Sequence, residues 1–161
     1  NPALNKITLI GAIVVVAIGA GLIAWGTIAG KSAITYRKET KVECLPNGHQ
    51  NLGQHIHPTL KVMVDQTNEV VPANIGLIDT CMAEVHTHDP SGMIHIESVA
   101  VGKTFTLSDF FEVWGTSIDR QGYTLSMTVD GNPTNSPAGL ILKDGQQIVL
   151  TYTKATTTVA N

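Results

Sequence analysis

Thr104-Phe105-Thr106-Leu107-Ser108-Asp109-Phe110-Phe111-Glu112-Val113-Trp114-Gly115 is the stretch on which the fold turns. Leu107, Phe110, Phe111 and Trp114 recur at three- and four-residue spacing, which lines one face of a helix with apolar side chains. Thr106 or Ser108 can cap the first turn through a hydroxyl, and Gly115 can take the left-handed conformation that closes a helix. The spacing predicts one short amphipathic helix whose plain role is to cover a sheet.

On either side of it the pattern changes to a period of two. Upstream, Ile56, Leu60, Val62 and Val64 are apolar at even positions while His57, Thr59 and Lys61 are polar at odd ones, so Ile56 to Val64 is expected as one half-buried strand with its histidines turned from the core. Asp65-Gln66-Thr67-Asn68 is expected to turn, and Glu69 to Gly76 to return as a short strand that Pro72 places at an edge. Farther on, Ile94 and Ile96 are expected to point inward, His95 and Glu97 outward. Downstream of the helix, Tyr123 to Val129 and Gln147 to Tyr152 read as strands, the first turning at Asp130-Gly131-Asn132-Pro133.

The order strand, strand, strand, helix, strand, strand predicts an α+β domain, with the helix laid on one face of a mixed four- or five-stranded sheet. A β-grasp-like arrangement suits this order best. A β-sandwich is the alternative, and it would make the Phe-Trp segment an insertion.

Ahead of this domain, Ile7 to Ala29 carries no charge and is rich in Ile, Val, Ala and Gly, with Lys6 and Lys31 at its flanks. As a helix it would reach about 34 Å, enough for a hydrocarbon core of about 30 Å, so it is expected to be a transmembrane anchor. A cleaved signal peptide would have a shorter apolar core and a small-residue cleavage site, a form Gly30-Lys31-Ser32 lacks. The expected organisation is thus an N-terminal transmembrane helix (1–31), a polar connector (32–54), a β-rich domain (55–154) and a tail (155–161).

Orientation is argued both ways. Lys31, Arg37, Lys38 and Lys41 follow the apolar segment while Lys6 precedes it, which favours a cytoplasmic domain. Cys44 and Cys81 form one even pair, which reads as a disulfide in an oxidising compartment, two reduced buried thiols being the alternative. The cysteines decide the expectation for the extracytoplasmic side. Net charge is −3 and charged residues make up 14% of the chain, with no basic stripe interleaved with aromatics, so nucleic acid is not an expected partner.

All 6 histidines lie between His49 and His95. His55 and His57 share a parity on one strand, His95 and Glu97 share one on another, and the loop adds His86, His88 and Asp89. Side by side, such strands would bring imidazoles within reach of one metal ion; neutral imidazole with a carboxylate suits copper or zinc. The expected ligand set is His55, His57, His86, His88, His95, Asp89 and Glu97. The competing reading is structural, with His86 and His88 holding the Asp89-to-Gly92 turn and His95 paired to Glu97. A hydrolase would need ligands and a cleft for which a small sheet has no room. Ser91 between Pro90 and Gly92 is a turn residue before it is a nucleophile, and Cys81, His86 and Met93 stand too early in the chain for a blue-copper site.

Cys81-Met82, Val85-His86-Thr87-His88-Asp89-Pro90-Ser91-Gly92-Met93-Ile94-His95-Ile96-Glu97 and the Phe105-to-Gly115 run together resemble a group of small membrane-anchored proteins of archaea and bacteria. These have the form His-x-His-x-x-Leu, then His-Thr-His-Asp-x-Ser-Gly-x-Ile-His-Ile-Glu, then Phe-Thr-Leu-x-x-Phe-Phe-x-x-Trp-Gly. The resemblance runs from about Cys44 to Tyr152 and falls on the same seven residues. It labels a family and implies no particular activity; the turn after Asp65 departs from it where a glycine would be commoner.

The expected function is a membrane-anchored extracytoplasmic module that binds copper or zinc, more a binding protein than an enzyme, partnered by the lipid bilayer and by other subunits of a membrane complex. The alternative is a pilin-like filament subunit partnered by copies of itself, with the apolar helix in the fibre core. Lys6 counts against it, because a fibre core would bury that charge.

Overall fold

The computed structural model describes residues 41–45 and 47–156. The apolar segment Ile7–Ala29 lies outside the described residues, and among those described no helix is long and apolar enough to cross a membrane. The described chain is a mixed α and β fold with one α-helix, α1 (Leu107–Trp114). Thr106 is its N-cap, in a capping box with Asp109, and Gly115 closes it at a φ of 78°.

The strands, in chain order, are β1 (Gln54–Ile56), β2 (Thr59–Val64), β3 (Thr67–Glu69), β4 (Leu77–Ile78), β5 (Cys81–Met82), β6 (Val85–His86), β7 (His95–Ser98), β8 (Tyr123–Val129), β9 (Asn132–Thr134) and β10 (Gln147–Lys154). Five of them form a mixed sheet in the order β3-β2-β10-β8-β9, with β2 and β10 parallel and the other pairs antiparallel. A three-stranded antiparallel sheet runs β1-β7-β6, and β4 pairs with β5. One core joins the two larger sheets to the helix: Leu60, Val62, Ile148, Leu150 and Tyr152 from the five strands, Val85 and Ile96 from the three, and Phe105, Leu107, Phe110 and Phe111 at the helix.

Several boundaries differ from the sequence reading. The run Ile56 to Val64 is not one strand. Pro58 has no N–H to give a ladder, and the chain breaks there, sending β1 to pair with β7 and β2 to pair with β10. The turn after β2 is tighter than expected. Asp65 and Gln66, at φ of 45° and 70°, make a two-residue hairpin turn, so the return strand is Thr67–Glu69 and the chain from Val70 on is irregular. Asp130 and Gly131 do the same, and Asn132 and Pro133, read as part of the turn, belong to the edge strand β9.

Residues ahead of β1 also pack. Val42 joins the core and Leu45 is buried. Cys44 bridges to Ala83 and is disulfide-bonded to Cys81, with Cα atoms 5.3 Å apart. Glu84, buried beside this segment, accepts from the Glu43 N–H (3.0 Å), the Ser98 hydroxyl (2.7 Å) and the Lys103 ammonium (2.6 Å). A buried carboxylate is tolerable only when paired in this way.

Candidate metal centre

The three-stranded sheet turns the period of two into a site. Val85 is opposite Ile96, and both face the core; His86 is opposite His95, and His55 is opposite Glu97, on the other face. Antiparallel partners stand with Cβ atoms about 5 Å apart, so residues far apart in sequence become neighbours. The imidazoles therefore gather on this small sheet and not on the open face of the five-stranded one. The reason is the break at Pro58, which moves His55 from one sheet to the other.

Two staples hold the loop between β6 and β7. Thr87 donates its hydroxyl to Pro72 O (2.8 Å) and receives the Ile75 N–H (3.1 Å), which buries Thr87 and leaves His86 and His88 on the opposite side. Gly92, at a φ of 83°, lies so close to β2 that a Cβ there would come within 2.2 Å of Leu60 O. Its carbonyl accepts from Leu60 N and Ile94 N donates to Pro58 O, fixing the entry to β7.

Nitrogen positions are specific. His86 is fully buried (0% exposed). Its Nδ1 donates to Ala83 O at 2.8 Å, leaving a lone pair on Nε2, which is 3.1 Å from His88 Nε2. Burial, the largest influence, holds its pKa down to about 4, so the ring is neutral near pH 7. On the other flank His57 Nε2 is 3.0 Å from His55 Nε2. His95 sits among all four rings, with centroids 4.7 Å from His57, 6.0 Å from His55, 5.4 Å from His86 and 4.6 Å from His88. Burial and the neighbouring His88 and His57 lower its pKa. Its Nδ1 is buried and has no hydrogen-bond partner among the described residues. His55, His57 and His95, and likewise His86, His88 and His95, offer nitrogens that lie within 4.8 Å of one another. Each group could hold a metal ion.

Glu97 is on the expected face, but it is the floor of the site and not an outward ligand, being 0% exposed. Its carboxylate takes His49 Nδ1 at 2.8 and 3.0 Å and His55 Nε2 at 3.0 Å, with His95 Nδ1 at 3.8 Å. Asp89 is not brought to the rings in this way. Its Oδ1 accepts the Ser91 N–H at 2.8 Å, and hydrogen bonding from the Ser91 hydroxyl and then from that N–H lowers its pKa. His49 was outside the predicted ligand set and is in neither of the two histidine groups, yet it packs against the cluster, its ring 5.4 Å from His88 and 6.1 Å from His86. The signal that pointed to it was position: it is one of the six histidines confined to a single span, five residues after a cysteine that the disulfide anchors. Asp144, also unforeseen, receives the His57 backbone N–H at 2.8 Å.

No protein-family model, no curated protein and no solved structure matches the chain.

Proposed function

We propose that the protein is a membrane-anchored, extracytoplasmic module that binds a copper or zinc ion through its histidine cluster, as an accessory subunit of a membrane complex. One observation carries the reading: two His-x-His pairs, with Nε2 atoms 3.0 and 3.1 Å apart, converge on His95. Metal–nitrogen bonds of about 2.05 Å put two ligand nitrogens about 3.3 Å apart in a tetrahedral site and about 2.9 Å apart in adjacent corners of a tetragonal one. Both pairs fall between these values, which is why zinc and divalent copper are named together.

The fit extends outward. The bond from His86 Nδ1 to Ala83 O fixes the tautomer that presents Nε2 to a metal. Glu97 supplies negative charge beneath, and its bond to His49 Nδ1 orients that ring. The disulfide supports the extracytoplasmic side, and the apolar segment Ile7–Ala29 supports the anchor. We read the five-strand order, hairpin, helix, hairpin and a last central strand parallel to the first, as a β-grasp.

Metal analysis of the purified full chain, beside His86→Ala and His88→Ala, tests this. Near-stoichiometric copper or zinc in the parent, reduced in both variants, with metal-free His88→Ala as thermally stable as the metal-free parent, is the expected result. Equally negligible metal in all three after incubation with each ion would end the reading.

A further inference from the structure

The cluster contains more imidazoles than one ion can use. The two His-x-His pairs each have the nitrogen spacing of ligands to a single ion, and each finds its third nitrogen in the same residue, His95. The surroundings of the pairs differ. His55 and His57 are 46% and 35% exposed, whereas His86 is fully buried and its ring orientation is fixed by Ala83 O. Charge limits the occupancy. Two divalent ions at the cluster would set four positive charges a few ångströms apart against Glu97, its one fully buried carboxylate, and the exposed Asp89 and Asp144.

Resting on the metal-binding reading above, we infer that the cluster is two overlapping seats for one ion: an outer seat of His55, His57 and His95 and an inner seat of His86, His88 and His95. The ion enters and leaves through the outer seat and passes to the inner one by ligand exchange while His95 keeps its bond. The bonds from the ion to His55 and His57 break as those to His86 and His88 form. No electron moves, and each neutral imidazole that takes the ion on Nε2 carries its proton on Nδ1; His55, whose Nε2–H donates to Glu97 in the metal-free chain, takes the ion there once its half-exposed ring has exchanged that proton to Nδ1 through solvent. His49, whose Nδ1 is occupied by Glu97, has Nε2 to offer the inner seat as a fourth ligand.

The test uses Zn²⁺ as probe, with binding measured by calorimetry on the full chain and release measured by transfer to a chromogenic chelator. His57 and His88 both reach solvent, so their alanine variants are expected to fold. The parent chain is expected to bind one Zn²⁺. His57→Ala should still bind one, but release it at least about fivefold more slowly, because its outward route is gone, and His88→Ala should still bind one with affinity at least about tenfold weaker. His95→Ala should bind more weakly than either. Two Zn²⁺ per parent chain, loss of the ion in His57→Ala, or equal release rates from His57→Ala and the parent would each overturn the two-seat arrangement while leaving metal binding intact. No Zn²⁺ or Cu²⁺ bound by any form would remove the metal reading itself.

Discussion

The five-stranded sheet and the three-stranded sheet share one core but are held in place by different means. The first has long ladders: β10 runs eight residues and pairs along β2 on one side and β8 on the other. The second has strands of three, four and two residues, too few ladder bonds to fix a geometry. It is held by cross-ties, namely the Cys44–Cys81 disulfide, the Glu84–Lys103 pair, the Thr87 bonds and the close passage of Gly92 over β2. The difference teaches that the scaffold is stabilised by repetition and the site by individual contacts. Single substitutions at the cross-ties should therefore affect the site most.

The largest effect is expected at Gly92. Gly92→Ala combines a left-handed backbone with a collision against Leu60 O and should cost about 3 to 5 kcal/mol in urea unfolding, with loss of bound metal. Gly145→Ala has a similar φ, 70°, but open space around it, and should cost only about 1 to 2 kcal/mol. Equal costs would mean that the close passage does not hold the site sheet. Next, Cys44→Ser with Cys81→Ser should lower stability by about 4 kcal/mol on the chain-entropy estimate. Metal affinity should fall with it, since Cys44 bridges to Ala83, whose carbonyl orients His86.

How much of this contrast could be read from the sequence depends on which forces are local. The helix and its caps were legible because Leu107, Phe110 and Phe111 repeat along one face and Thr106 and Gly115 punctuate it. Of the converging histidines, His55 and His95 were legible because alternation fixes which face a strand residue takes, while His86, read as a loop residue, lies in β6 opposite His95. Alternation does not say which sheet a strand joins. Ile56 and Leu60 fall in step across Pro58, and the missing N–H that separates β1 from β2 makes no mark on the pattern. Burial of Glu97 was likewise invisible, because it depends on His49 folding over from a segment with no periodicity. Asp89 looked like a ligand by proximity, but an aspartate two residues before a backbone N–H in a Pro-Ser-Gly turn has a nearer partner.

A third prediction separates the sheets by pH. His86 takes up its proton near pH 4 when folded and near 6.5 when unfolded. Between those values the unfolded chain binds the extra proton, so stability is highest above pH 6.5 and falls as pH drops toward 4, by at most about 3 kcal/mol for this residue. The lowered pKa of His95 acts in the same direction. Urea unfolding of the metal-free protein at pH 7, 5.5 and 4 measures it, and a profile unchanged in His86→Ala would contradict it. The smallest effect belongs to the scaffold. Thr106→Ala removes the helix cap and should cost about 1 kcal/mol while leaving metal content as it was.

The contact that sets the tautomer of His86 comes from the peptide group of Ala83 and not from its methyl group. The N–H of that peptide is Glu84's and donates to Glu43 O at 2.9 Å, while Ala83 is held on its other side by its own N–H on Gly76 O and by the bridge to Cys44. The orienting group is thus encoded by strand register, so no side-chain replacement at position 83 deletes it directly. Chains that differ at this position could keep the same tautomer as long as the neighbouring segments stay in step, and a shift of one residue there would abolish it with every histidine still present.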